Sequence, residues 1–195
     1  MDDEFIASVI AAYAEAYDPP TRTIRFSHTQ PSARESAVVV YLPDEAEQLD
    51  PAGNVTLLGT AGFGSEALCI DFPCEFCIEA KGFLDEASAD ALAAALTDLA
   101  LVPLKSGRLF NYGQILTNVS LPAFPRFTMA ILIDWDSVDG FRFPEPVSDI
   151  GLLRVIPLFA TEADYVESFA DRRKGYLALI NRGMVATDPD REPTV

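Results

Sequence analysis

LLRVIPLFATEADYVESFADRRKGYLALINRG, residues 152–183, carries a strand, a cap and a helix in one continuous run. Leu152 to Phe159 is apolar apart from Arg154 and Pro157 and lies between Gly151 and Thr161, which predicts a largely buried strand. Thr161 can offer its hydroxyl to the first free amides of a helix, while Glu162 and Asp164 set negative charge against the positive end of its dipole. Tyr165, Val166, Phe169, Tyr176, Leu177 and Ile180 then recur at helical spacing until Gly183 stops the pattern. Gly175 interrupts it just after Arg172, Arg173 and Lys174, so a kink is expected there. Phe169 is expected to be buried against a sheet built partly from Val155 and Ile156.

Working outward, Asp3 to Tyr17 reads as an amphipathic helix with Phe5, Ile6, Val9, Ile10, Tyr13 and Tyr17 on its core side, ended by Pro19 and Pro20. Thr21 to Arg34 reads as loop with a short strand at Ile24 to Phe26. Ala37 to Leu42 and Val55 to Thr60 are strands, the second running into a glycine turn at Ala61 to Ser65. Beyond it Leu68, Ile70, Phe72, Cys74, Phe76 and Ile78 alternate with Cys69, Asp71, Glu75, Cys77 and Glu79, which predicts a half-buried strand with an acidic outer face. Pro73 places a bend, a bulge or a sheet edge in that strand. Asp85 to Leu101 is an alanine-rich helix, and Phe110 to Leu116 and Thr128 to Ile133 are further strands. Asp134 to Ser148 is loop, and residues 184–195 have no periodicity and read as a disordered tail after a single domain at 1–183. Strands and helices interleave without a βαβ repeat, so the fold class is α+β with a mostly antiparallel or mixed sheet packed with helices.

Thirty acidic residues against 14 basic ones give a formal charge of −16. Such a surface repels phosphate backbones and anionic membranes, so nucleic acid and membrane are disfavoured as partners and a basic protein is favoured. The start, MDDEF, carries no basic export signal, and no window approaches an apolar membrane span; with three cysteines and no disulfide framework, the expected setting is cytoplasmic.

The sites of chemistry are few. Cys69, Cys74 and Cys77 have ferredoxin-like spacing but lack a fourth thiolate, and alternation along the strand would send Cys74 away from the other two. A zinc site could recruit only the single His28. Asp134 to Gly140 fails the calcium-loop register, with Val138 at a ligand position and Gly140 one residue late. Gly59 to Gly64 lacks the spacing of a phosphate-binding loop. No metal and no cofactor is therefore expected, and a metal-assisted hydrolase stands only as a third possibility behind two binding functions.

Several blocks in order resemble the suppressor-of-fused family: VVVYLP (38–43), VTLLGTAGFGSEAL (55–68) running into CIDFP (69–73), YGQILTNVSLPAF (112–124), FTMAILI (127–133) and RVIPLFATEADYVESFA (154–170). The resemblance spans about residues 37 to 181. It implies an α+β domain without catalytic chemistry that works by holding a protein partner. Animal members clasp a peptide of a transcription factor as an added strand, usually with the help of a second domain. Stand-alone bacterial domains of this kind resemble immunity proteins that neutralise toxins of polymorphic toxin systems. The resemblance thus implies an immunity protein bound to a toxin domain, or alternatively a regulatory peptide-binding module. Between Val55 and Leu104 eight acids face a single lysine. The expected partner-binding surface is therefore acidic: Asp71, Glu75 and Glu79 on the strand, with Asp134, Asp136 and Asp139 on the loop.

Overall fold

The computed structural model describes residues 2–29, 35–44, 46–49, 54–66, 68–69, 72–134 and 142–195. Its strands are β1 (Arg22–Ser27), β2 (Glu35–Tyr41), β3 (Val55–Ala61), β4 (Cys74–Lys81), β5 (Ile115–Thr117), β6 (Met129–Asp134) and β7 (Gly151–Leu158). They form one sheet in the order β1-β2-β3-β4-β7-β6-β5, antiparallel throughout except for the parallel pair β4 and β7. The helices are α1 (Asp2–Tyr17), α2 (Glu86–Ala100), α3 (Val102–Ser106), α4 (Ala160–Glu167) and α5 (Arg172–Asn181). The α+β expectation and the mixed sheet are what the structure has.

Both faces of the sheet are covered, and the strand parities sort the core accordingly. Val38, Val40, Leu58, Phe76, Ile78, Leu132, Leu153 and Val155 pack with Leu92 and Leu96 of α2. On the opposite face Val39, Leu57 and Cys77 meet Ile6, Val9 and Tyr13 of α1, and Ile131, Ile133 and Ile156 meet Val166 of α4 and Leu179 of α5. Each such side chain, fully buried, contributes about 1.5 to 3 kcal/mol of transfer free energy. The α1 face is the one its sequence periodicity marks. In α2 the Asp85 carboxylate accepts from the Ser88 amide at 2.8 Å and caps the first turn. Pro103 sits in the first turn of α3, where its missing N–H costs nothing. Together Glu86–Ser106 make, among the described residues, one helical stretch long and apolar enough by composition to cross a membrane, which departs from the expectation that no such window exists. Part of its apolar side, including Leu92, Ala93 and Leu96, docks on the sheet.

Four local expectations are corrected. The helix read from Thr161 to Arg182 is two helices, because Asp171 caps a second start by accepting from the Arg173 amide at 3.0 Å. Gly175 is no kink: a β-carbon there would come within 2.9 Å of the Val166 Cα, so the glycine lets α5 cross α4 at close range. Phe169, on the connection, lies edge-on to Tyr165 at 5.2 Å and is only half-buried, while Val155 faces the opposite side of the sheet. Nor does Thr161 cap α4. Glu162 reaches back to the Phe159 amide at 3.0 Å, and Thr161 donates its hydroxyl to the Val195 carbonyl at 2.8 Å.

That last bond belongs to a C-terminal strap. Residues 184–195, expected to be disordered, fill the fork where β4 and β7 part after the pair Cys77 and Arg154. The Lys81 amide donates to the Thr187 carbonyl at 2.7 Å, and the Arg191 guanidinium donates to the Pro157 carbonyl at 3.0 Å. Pro157 is tolerated in β7 because that part of the strand no longer pairs with β4. Arg191 also forms a two-pronged ion pair with Glu162, whose carboxylate further accepts from the Thr194 amide at 3.0 Å. Burial alone would push that carboxyl up, but Arg191 and the Phe159 and Thr194 amides hold it below its ordinary value. The guanidinium lies over Phe127 and Phe159 at 4.8 and 5.2 Å. The buried Arg191–Glu162 pair under an aromatic lid, with the more exposed pairs Lys81–Asp188 and Arg126–Glu192, holds a segment that hydrophobic periodicity could not mark.

Arg191→Ala would leave Glu162 buried and unpaired and is expected to cost roughly 3 to 5 kcal/mol. Glu192→Ala, which removes only an exposed partner of Arg126, is expected to cost under about 1 kcal/mol. Urea unfolding of the two variants beside the parent measures this, and equal small losses would show the strap to be dispensable.

Candidate functional site

The acidic strand face expected at Glu75 and Glu79 is not a solvated surface. β4 lies between β3 and β7 in the middle of the sheet, so its outer parity is covered as well. Pro73 stands before the strand rather than bending it, and its carbonyl accepts from the Gly151 amide at 2.9 Å. Glu75 is 0% exposed. Its Oε1 accepts from the Gly62 amide at 2.8 Å and the Gly64 amide at 2.7 Å, and its Oε2 from the Thr60 hydroxyl at 2.6 Å. Thr60 in turn accepts from the Phe76 amide at 2.8 Å, replacing the ladder bond lost where β3 and β4 separate. Gly62 holds φ +119°, a conformation few side chains adopt, and Gly59 leaves room for Tyr13, whose hydroxyl would lie 2.5 Å from a β-carbon there. The GTAGFG stretch and Glu75 are thus one buried unit. Periodicity missed it because alternation reports only that a residue points away from one core, not that a second core waits there.

Glu79 pairs with Arg154 across the fork between β4 and β7 and is mostly buried. Asp134, half-buried at the end of β6, lines a cavity of about 190 Å³ with Phe72 and Arg142. Asp71, Asp136 and Asp139 lie outside the described residues, as does most of the rejected calcium loop. His28, just past the end of β1, bonds the hydroxyl of Ser36 on β2 at 2.7 Å. Among the described residues no group of three or more His, Cys, Asp or Glu side chains is placed to hold a metal.

The two edges of the sheet differ, and the difference marks a candidate site. At β1 Arg22 pairs with Glu86 and Asp90 of α2, and Arg25 pairs with Asp3 of α1, so charge guards that edge. β5 itself carries no charged side chain to guard its edge. Ile115–Thr117 pairs only with β6, and alongside it runs a groove of about 770 Å³ walled by Ala91, Ala94, Ala95 and Leu99 of α2 and Val102 of α3. Phe110 and Leu116 close its floor with buried rings and methyls. A short strand edge beside an apolar helix face is suited to receiving an extended segment, with main-chain bonds on the strand and side chains on the helix.

No protein-family profile and no curated protein matches the sequence. Solved structures do. Taken as a class, the architecture is a seven-stranded mixed sheet with helices on both faces, and that class has a particular representative. The structure matches a putative suppressor-of-fused homologue from Neisseria gonorrhoeae with a TM-score of 0.68 at 14% identity, over 99% of this chain and 98% of that one. It matches a chain of the Sufu–Fu complex with a TM-score of 0.65 at 11% identity, over 97% and 92% respectively. Against Drosophila Suppressor of Fused the TM-score is 0.60 at 9% identity, over 97% of this chain but only 50% of the fly protein. The chain has the suppressor-of-fused-like fold.

Burial pushes the Glu75 carboxyl up to about 7, against the pull of its hydrogen bonds. The folded chain therefore holds that proton more tightly than the unfolded one, whose carboxyl titrates near 4.5. Its stabilising share is fully present below about pH 4.5 and is lost as pH rises through about 7. His28, lowered by burial, works in the opposite sense, so the difference between parent and Glu75→Gln is the quantity to measure. Urea midpoints should converge on the acid side and separate as pH rises from about 4.5 through about 7, the parent losing stability relative to Glu75→Gln; parallel profiles would show that the carboxyl is not perturbed.

Proposed function

We propose that this domain is a protein-binding module that takes an extended segment of its partner onto β5, with the segment's side chains seated in the groove against α2. The observation that carries this reading is the unguarded β5 edge beside an apolar helix face, in a molecule whose other edge is guarded by ion pairs. The likeness to a chain from a Sufu–Fu complex supports a binding role.

The finer reading is an immunity protein acting in the cytoplasm on a basic toxin domain. It rests on the charge of −16, which favours fast encounter with a positively charged partner. With Glu75 buried and Glu79 mostly buried, the acids that can steer such a partner lie elsewhere, among them Asp98 at the groove, which stays exposed within its ion pair with Lys105.

The natural probe is the protein encoded beside this one. Ala94→Lys puts a charged chain into the groove, and Ala16→Lys adds the same charge to an exposed helical position on α1. Affinity is expected to fall at least tenfold, about 1.4 kcal/mol, for Ala94→Lys and to stay near the parent for Ala16→Lys. Equal affinity in all three would place the interface elsewhere. An on-rate indifferent to salt would remove the basic-partner reading while leaving the groove intact.

A further inference from the structure

Neither the groove nor the strap uses the cysteines, yet two of them are brought together. Regular alternation from Leu68 onward would have pointed Cys69 and Cys74 to opposite faces. Instead β4 begins only at Cys74, and Cys69 makes an isolated parallel bridge with Phe110 outside any strand. Their Sγ atoms stand 2.7 Å apart, against about 2.05 Å for a covalent S–S bond. Cys77 is elsewhere: it lies on the opposite face of the sheet, with its thiol 3.7 Å from the Leu153 carbonyl. Cys69 is 7% exposed and Cys74 is 0% exposed, so an incoming reagent reaches Cys69 first.

We propose that Cys69 and Cys74 form a reversible dithiol–disulfide site that is oxidised by low-molecular-weight disulfides entering at Cys69. The balance is simple. Cys69, having released its proton to water, attacks one sulfur of the reagent; the first small thiolate departs and a mixed disulfide forms on Cys69. Cys74 then attacks the Cys69 sulfur, the second small thiolate leaves and takes up the Cys74 proton, and the Cys69–Cys74 bond remains. One disulfide is reduced to two thiols while two protein thiols are oxidised to one disulfide. The hydrogen bond to Cys69 and burial both push the Cys74 thiol up, which disfavours Cys74 as the thiol that attacks first. The new bond closes on two structural points. Cys74 opens β4 opposite Gly151 and precedes Glu75, whereas Cys69 adjoins Leu68, whose carbonyl accepts from the Phe110 amide at 2.7 Å. Phe110 lines the groove, so the crosslink ties its floor to the central strand.

Glutathione disulfide is the probe. The reduced, folded chain is incubated with it, quenched in acid, denatured, alkylated and mapped by mass spectrometry. The expected product carries a Cys69–Cys74 crosslink and one alkyl group, on Cys77, whose protection also reports that the fold stayed closed. Cys74→Ser should instead accumulate a glutathione adduct on Cys69, since no thiol remains to displace it. Three alkylated cysteines in the parent, or a bond that uses Cys77, would overturn the site. An unmodified Cys69 in folded Cys74→Ser would overturn its role as the entry thiol, and the parent measurement decides the crosslink whether or not that variant folds.

Discussion

The carboxylate of Glu75 occupies the centre of a sheet where an apolar side chain would ordinarily stand, and the chain is shaped to keep it there. Three donors converge on it: the Gly62 and Gly64 amides and the Thr60 hydroxyl. An unpaired carboxylate at that depth would cost several kcal/mol, so the turn after β3 must take the one conformation that aims two amides inward. That conformation requires a positive φ at Gly62. With the turn set, β3 and β4 separate at Thr60, Phe63 drops into the core beneath α2, and Ile150 and Tyr13 close over the other side. One buried acid thus fixes the turn, the end of a ladder and the seating of α1.

How far this could be read in advance follows from what each residue must satisfy. Helices α1 and α2 and strands β2, β3, β6 and β7 were legible because a single period decides each of them. The division of α4 from α5 was not, since Asp171 looks like one more polar residue on a helical face until its side chain is seen capping a new start. Glu75 and Glu79 read as solvated for a related reason. Alternation distinguishes two faces of a strand, but it cannot say that both are covered, and only position within the sheet makes β4 a central strand. The groove left almost no trace in the sequence: alanines at 91, 94 and 95 raise helix propensity whether or not anything docks against them. The suppressor-of-fused resemblance succeeded where periodicity failed, because the order of several short blocks reports topology, which no single block does.

Charge is distributed with the same economy. Arginine pairs close the β1 edge, Arg154 bridges the fork between β4 and β7, and Arg191 fastens the strap. Fourteen basic residues serve a chain with 30 acids, and several of them are committed to such contacts. What remains exposed is therefore even more acidic in character than the composition suggests, while the β5 edge and its groove stay largely apolar. A partner meeting this surface would be drawn in by long-range charge and held by short-range packing, two terms that salt separates.

The parallel pairing of β4 with β7 has a kinetic meaning. Every other neighbouring pair in the sheet is consecutive in the chain, whereas β4 and β7 are separated by everything from residue 82 to residue 150. Closing that span costs more chain entropy than any other step, and it yields only four paired positions, Cys74 to Cys77 opposite Gly151 to Arg154. The topology therefore divides the chain into two locally wound meanders, one on each side of this seam, which can form early while the seam closes late. The thiol pair, the buried acid and the strap all lie along that seam. The line that joins the most distant parts of the chain is also where the molecule places these polar fastenings.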